Sequence, residues 1–136
     1  MKGAPLHIQK RATDSMAKTI LAIDDSASIR HLLSSTLEGF GFRVIAAADG
    51  RDGLEKLAEN GADLIITDLH MPNVDGIGFI HHVRQLPAYR FVPIIMLTTE
   101  RQGLLKREGA AAGATAWIAK PFLPEELITV IRKVMR

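Results

Sequence analysis

The sequence predicts an α/β fold, a doubly wound parallel sheet of five strands with helices on both faces. Three observations lead there. Five short runs rich in Ile, Leu, Val and Ala lack polar alternation, as do strands buried on both faces of a parallel sheet. Longer stretches with apolar residues at helical spacing lie between them. Helix-capping and helix-breaking residues separate one segment from the next. Right-handed crossovers then distribute the helices over both faces.

Taken in order, the strands are expected at Thr19–Ile23, Arg43–Ala47, Asp63–Thr67, Val92–Leu97 and Thr115–Ala119. Asp25 and Ser26 suit the N-cap of a first helix. Its apolar stripe is Ile29, Leu32, Leu33, Leu37 and Phe40, and Gly39 and Gly41 mark its end. Asp49 caps a second helix carrying Leu54, Leu57 and Ala58, closed by Asn60 and Gly61. A third carries Phe79, Ile80, Val83 and Leu86 and ends at Pro87. The fourth, near residues 101–112, is weak, because Gly103 and Gly109 each cost about 1 kcal/mol relative to alanine. The fifth opens at Pro124, where proline suits the first turn. Glu125 and Glu126 follow, Leu127, Val130, Ile131 and Val134 form its stripe, and Arg132, Lys133 and Arg136 lie near its end. Those charges complement the helix dipole at both ends.

At 136 residues the chain has the length of one domain with a substantial core. Residues 1–17 read as a flexible N-terminal extension and 18–136 as the folded domain. The net charge of +2 is unevenly placed. Lys2, Lys10, Arg11 and Lys18 face only Asp14 in the first 18 residues, so the remainder is close to neutral. That excludes the basic footprint of a nucleic-acid binder. No apolar run reaches the length of a membrane helix, and no secretory h-region is present. The chain has no cysteine, so disulfides, thiolate metal sites and a cysteine nucleophile are excluded. A cytoplasmic location agrees with all of this.

In an open parallel sheet, ligands bind outside the carboxyl ends of the strands. Strand one ends at Asp24 and Asp25, strand three at Asp68, strand four at Thr98 and Thr99, and strand five at Lys120 and Pro121. Three carboxylates, a hydroxyl and an ammonium therefore converge on one edge. Neighbouring carboxylates raise one another's pKa unless cations intervene. Lys120 alone is too little charge for three of them, and an all-oxygen donor set suits Mg²⁺. A divalent ion, a lysine and a hydroxyl around one carboxylate would stabilise a phosphoryl group transferred onto it. Asp68, at the centre of the set, is the best acceptor.

The segments LAIDDSASIR, LIITDLHMPNVDG, MLTTE and WIAKPF, in that order and spacing, resemble the receiver domain of two-component response regulators, the CheY-like family. The resemblance covers about residues 18–136. It implies a flavodoxin-like (βα)5 fold with strand order 2-1-3-4-5; the chemotaxis receiver is a standard example of that order. It also implies roles. Asp68 is the phospho-acceptor. Asp25 binds Mg²⁺ directly, Asp24 helps hold it, and the His70 backbone carbonyl is a further ligand. Thr98 and Lys120 contact phosphoryl oxygens, the Lys120–Pro121 bond is cis, and Met71, Pro72 and Gly76 shape the loop after the acceptor. Thr98 and Trp117 form the switch pair, with Trp117 where Tyr or Phe is usual. The donor would be a histidine kinase or a histidine phosphotransfer protein. The chain reads as a stand-alone, single-domain regulator whose output is protein contact through the fourth helix, fifth strand and fifth helix. A flagellar motor switch in chemotaxis is the leading target. A phosphorelay intermediate, a phosphate sink and a receiver-like interaction module that is never phosphorylated are the alternatives. A haloacid dehalogenase-type enzyme fits less well, since His70 stands where its second catalytic aspartate would be.

Overall fold

Ile20, Leu21, Ala22 and Ile23 are fully buried because their strand has neighbours on both edges and helices on both faces. The chain is described by a computed structural model over residues 17–69, 75–99 and 103–135. The strands are β1 (Thr19–Ile23), β2 (Arg43–Ala47), β3 (Leu64–Thr67), β4 (Ile94–Thr98) and β5 (Ala116–Ala119). They form one sheet of order β2-β1-β3-β4-β5, parallel throughout. The central strands β1, β3 and β4 are the most apolar and most buried. The edge strands β2 and β5 are only partly buried.

The helices are α1 (Ala27–Gly39), α2 (Gly50–Asn60), α3 (Gly76–Gln85), α4 (Gly103–Ala112) and α5 (Pro124–Val134), with a 3-10 turn at Pro87–Tyr89. Their starts follow the cap residues. Ser26 Oγ accepts from Ile29 N–H at 3.3 Å, Asp49 from Asp52 N–H at 2.8 Å, and Asp75 from Gly78 N–H at 2.7 Å. Each such cap contributes about 1 kcal/mol.

Alternation along β1 divides the core in two. Ile20 and Ala22 face Leu33 and Leu37 of α1 and Leu127 and Ile131 of α5. Leu21 and Ile23 face Leu57 of α2, Phe79 and Val83 of α3 and Ala112 of α4. Each fully buried Leu, Ile or Phe contributes about 1.5–3 kcal/mol.

Some expectations shift. β4 starts at Ile94 rather than Val92, since Pro93 has no N–H for the ladder. β5 starts one residue late because the Thr115 hydroxyl accepts from Ile94 N–H at 3.0 Å. Leu32 and Phe40, placed in the apolar stripe of α1, are each 44% exposed. The helix packs through Leu33 and Leu37, one turn apart, and Leu32 falls about 100° off that line. Phe40 instead lies under the Arg132 guanidinium, 5.9 Å from its ring centre. Ala58 is exposed on α2, and Leu86 is exposed just beyond the end of α3.

Gly109 has a tertiary reason to be glycine. A Cβ there would collide with the Met96 thioether, which fills the notch in α4. The end of α4 is tied down by Arg84 of α3. Its Nε and Nη2 donate to the Gly113 carbonyl at 3.0 and 2.7 Å, and Nη1 donates to the Tyr89 carbonyl at 3.0 Å. Among the described residues no helix is long and apolar enough to cross a membrane.

Candidate functional site

Because the strands are parallel, their carboxyl ends share one edge, and register brings particular residues level. Ile23 is paired with Thr67, so the residues that follow, Asp24 and Asp68, emerge side by side. Asp24 N–H donates to the Ala47 carbonyl at 3.1 Å and Asp68 N–H to the Ile23 carbonyl at 3.0 Å, which extends the ladder into the site. Thr98 closes β4, is fully buried, and accepts Lys120 N–H on its carbonyl at 2.9 Å. Lys120 directly follows β5, and the Lys120–Pro121 bond is cis, as expected.

The acidic set gathers as the sequence predicts. Carboxylate oxygens of Asp24, Asp25 and Asp68 lie within 4.8 Å of one another. Asp24 is fully buried, Asp68 is 6% exposed, and Asp25 is exposed to solvent. Lys120 Nζ bridges the inner two, 2.6 Å from Asp24 Oδ2 and 3.2 Å from Asp68 Oδ2. Asp24 Oδ1 accepts Ser26 N–H at 2.9 Å.

Burial pushes the Asp24 carboxyl above its usual value, and the hydrogen bonds from Lys120 and Ser26 do not fully offset it. Burial also acts against the Lys120 ammonium. There the Asp24 hydrogen bond and the two carboxylate charges win, and its pKa lies above that of an ordinary lysine. Desolvation therefore governs the aspartate and carboxylate proximity governs the lysine. One ammonium is short of what three carboxylates need. A divalent cation with oxygen ligands fits this donor set, with Asp25 as the solvent-facing ligand and Asp68 and Asp24 behind it.

Gly76, the first residue of α3, is packed against the end of β3. A Cβ there would collide with the Asp68 carbonyl oxygen, and its N–H donates to the Leu69 carbonyl at 3.2 Å. Only glycine lets the helix approach so closely. His70, Met71 and Pro72 lie outside the described residues. Trp117 is in mid-β5, paired with Met96, half-buried, with Lys106 Nζ of α4 4.7 Å from its ring centre. His81 and His82 are both exposed on α3.

Sequence reasoning missed one residue. Arg30, in the first turns of α1, donates from Nη1 to the Asp24 carbonyl at 2.8 Å. A cation near the positive end of a helix dipole is out of place, and that was the available signal.

Over 87% of this chain and 98% of its own, the structure of chemotaxis protein CheY4 from Vibrio cholerae superimposes with a TM-score of 0.84 at 46% identity. A putative response regulator from Chloroflexus aurantiacus does so with a TM-score of 0.83 at 34% identity, over 88% of this chain and 98% of its own. The phosphate regulon transcriptional regulatory protein PhoB of Escherichia coli is 37% identical over 121 residues, 89% of this chain and 53% of PhoB. The chain thus spans about half the length of the curated relatives it matches. The pattern of the response regulator receiver domain matches residues 20–132, and with the parallel sheet and the acidic edge already described, the chain belongs to that family.

Proposed function

We propose that residues 18–136 act as a receiver that takes a phosphoryl group on Asp68 from a histidine kinase or histidine phosphotransfer protein. Receivers are phospho-acceptors rather than enzymes of the ordinary kind, and they bind Mg²⁺ at an acidic cluster. The observation that carries the reading is Lys120 bridging Asp24 and Asp68 inside a cluster of three carboxylates.

An Asp68 carboxylate oxygen attacks phosphorus on the donor imidazole. A P–O bond forms as the P–N bond breaks, and the imidazole leaves with the electron pair. Phosphoryl transfer depends mainly on positioning and on neutralising the equatorial oxygens. Lys120 supplies one charge to those oxygens and the Thr98 hydroxyl a hydrogen bond. Asp25, Asp68, Asp24 and the His70 carbonyl would hold Mg²⁺, which when bound adds the remaining positive charge. Water later attacks phosphorus; the P–O bond to Asp68 breaks, the carboxylate is restored and inorganic phosphate leaves.

The output surface is α4, β5 and α5. A shallow pocket of about 140 Å³ lies between α4 and β5 on that face, lined by Met96, Lys106, Ala110, Ala114 and Trp117 among others. Chemotaxis, with a flagellar motor switch as target, is favoured by the 46% identity to CheY4.

Intact mass after incubation with acetyl phosphate tests the acceptor. One phosphate adduct is expected with Mg²⁺, and none without Mg²⁺ or in Asp68→Asn. No adduct, under conditions that label another receiver, would favour an interaction module that keeps the fold without the chemistry.

A further inference from the structure

We infer that Arg30 is a positioning residue for Asp25, and through it for the cation this site would hold; this rests on the receiver reading above. Asp25 is the least supported of the three carboxylates. It is exposed, and among the described residues no hydrogen bond to its side chain is found. Asp24, by contrast, is held at both oxygens, by Lys120 and by Ser26 N–H. The place of Asp25 is therefore set by its backbone.

That backbone is fixed at three points. Asp24 N–H is tied to the Ala47 carbonyl of β2. Ser26 N–H is tied to Asp24 Oδ1. The peptide carbonyl between Asp24 and Asp25 is tied to Arg30 Nη1 at 2.8 Å. The last bond sets the plane of the Asp24–Asp25 peptide, and so the direction in which the Asp25 side chain leaves the chain. Arg30 is well placed for this. Its own N–H donates to the Ser26 carbonyl at 3.0 Å, an early bond of α1, so its stem is rigidly based. Arg30 is half-buried, and its guanidinium reaches across the turn to the Asp24 carbonyl, at the helix end where a cation is electrostatically unwelcome. A charge retained there is explained by the bond it makes.

A Mg²⁺ ion demands near-ideal octahedral geometry, whereas Ca²⁺ tolerates irregular sites. Loosening Asp25 should therefore weaken Mg²⁺ binding more than Ca²⁺ binding. A mere loss of nearby positive charge would do the reverse of weakening and strengthen both.

The test is calorimetric titration of the metal-free protein with Mg²⁺ and with Ca²⁺, for wild type, Arg30→Met, Arg30→Gln and Arg30→Lys. Arg30→Met keeps the stem without a donor and should lose about tenfold in Mg²⁺ affinity, as loss of an outer-shell partner does. Its Ca²⁺ affinity should fall less. Arg30→Lys and Arg30→Gln each keep a donor and should recover part of the loss, although Gln carries no charge. Unchanged or tighter Mg²⁺ binding in Arg30→Met overturns the inference, as does an equal loss for both ions, which would mean general loosening. Failure of the wild type to bind Mg²⁺ would instead overturn the receiver reading, and this role with it.

Discussion

Lys120 is held closer by Asp24, at 2.6 Å, than by Asp68, at 3.2 Å. The fully buried carboxylate takes the stronger share of the lysine, and the proposed acceptor the weaker. Removing the ammonium would strand Asp24 inside the protein with a charge burial already disfavours.

Lys120→Met should therefore destabilise the metal-free protein by about 3 kcal/mol, the usual cost of breaking a buried pair from one side. Millimolar Mg²⁺ should restore part of that loss by supplying another cation. Urea unfolding with and without Mg²⁺ reads both effects. A variant as stable as wild type without metal would show that Asp24 is not ionised there.

Gly109→Ala separates local preference from tertiary fit. Helix propensity alone favours alanine by about 1 kcal/mol. The Met96 thioether occupies the space the new methyl would take. Overpacking should win, with a net loss of about 1–2 kcal/mol. Met96→Val on the same background should remove the penalty and expose the helix gain. Thermal unfolding of the two single variants and the double variant closes the cycle. Stabilisation by Gly109→Ala alone would mean that the thioether moves aside at little cost.

Trp117 is the sole tryptophan, so its emission reports on β5 and α4. Mg²⁺ with beryllofluoride, a phosphoryl mimic, should change that emission in wild type and leave Asp68→Asn unchanged. Lys106→Gln removes the cation over the ring and should cost less than about 1 kcal/mol. Emission indifferent to beryllofluoride under conditions where it binds would leave Trp117 outside the switch.

The acidic edge was legible from sequence because every member directly follows an apolar strand: Asp24 and Asp25 after β1, Asp68 after β3, Lys120 after β5. Parallel register does the rest, since strands that end together present what comes next together. β1 and β2 fall where their composition placed them. What could not be read depends on contacts between distant segments. Met96 filling Gly109 is a fit between a strand and a helix, and neither residue signals it alone. Arg84 gathering the Gly113 and Tyr89 carbonyls is of the same kind. Leu32 and Phe40 misled because an apolar residue on a helix says nothing of which line on that helix meets the sheet. Arg30 was recoverable, as a charge at the wrong end of a helix.

The Lys120–Asp24 contact joins residues 96 apart in the chain, across a sheet whose last strand pairs on one side only. Closing so long a loop carries an entropic cost, although one that grows only slowly with length. During synthesis the carboxylates of Asp24, Asp25 and Asp68 emerge well before the ammonium that answers them. Lys120 reaches Asp24 and Asp68 only where β5 is paired with β4, so the charge balance of the edge depends on the last strand of the sheet. A ribosome-bound chain that stops short of β5 would carry the acidic cluster without its lysine.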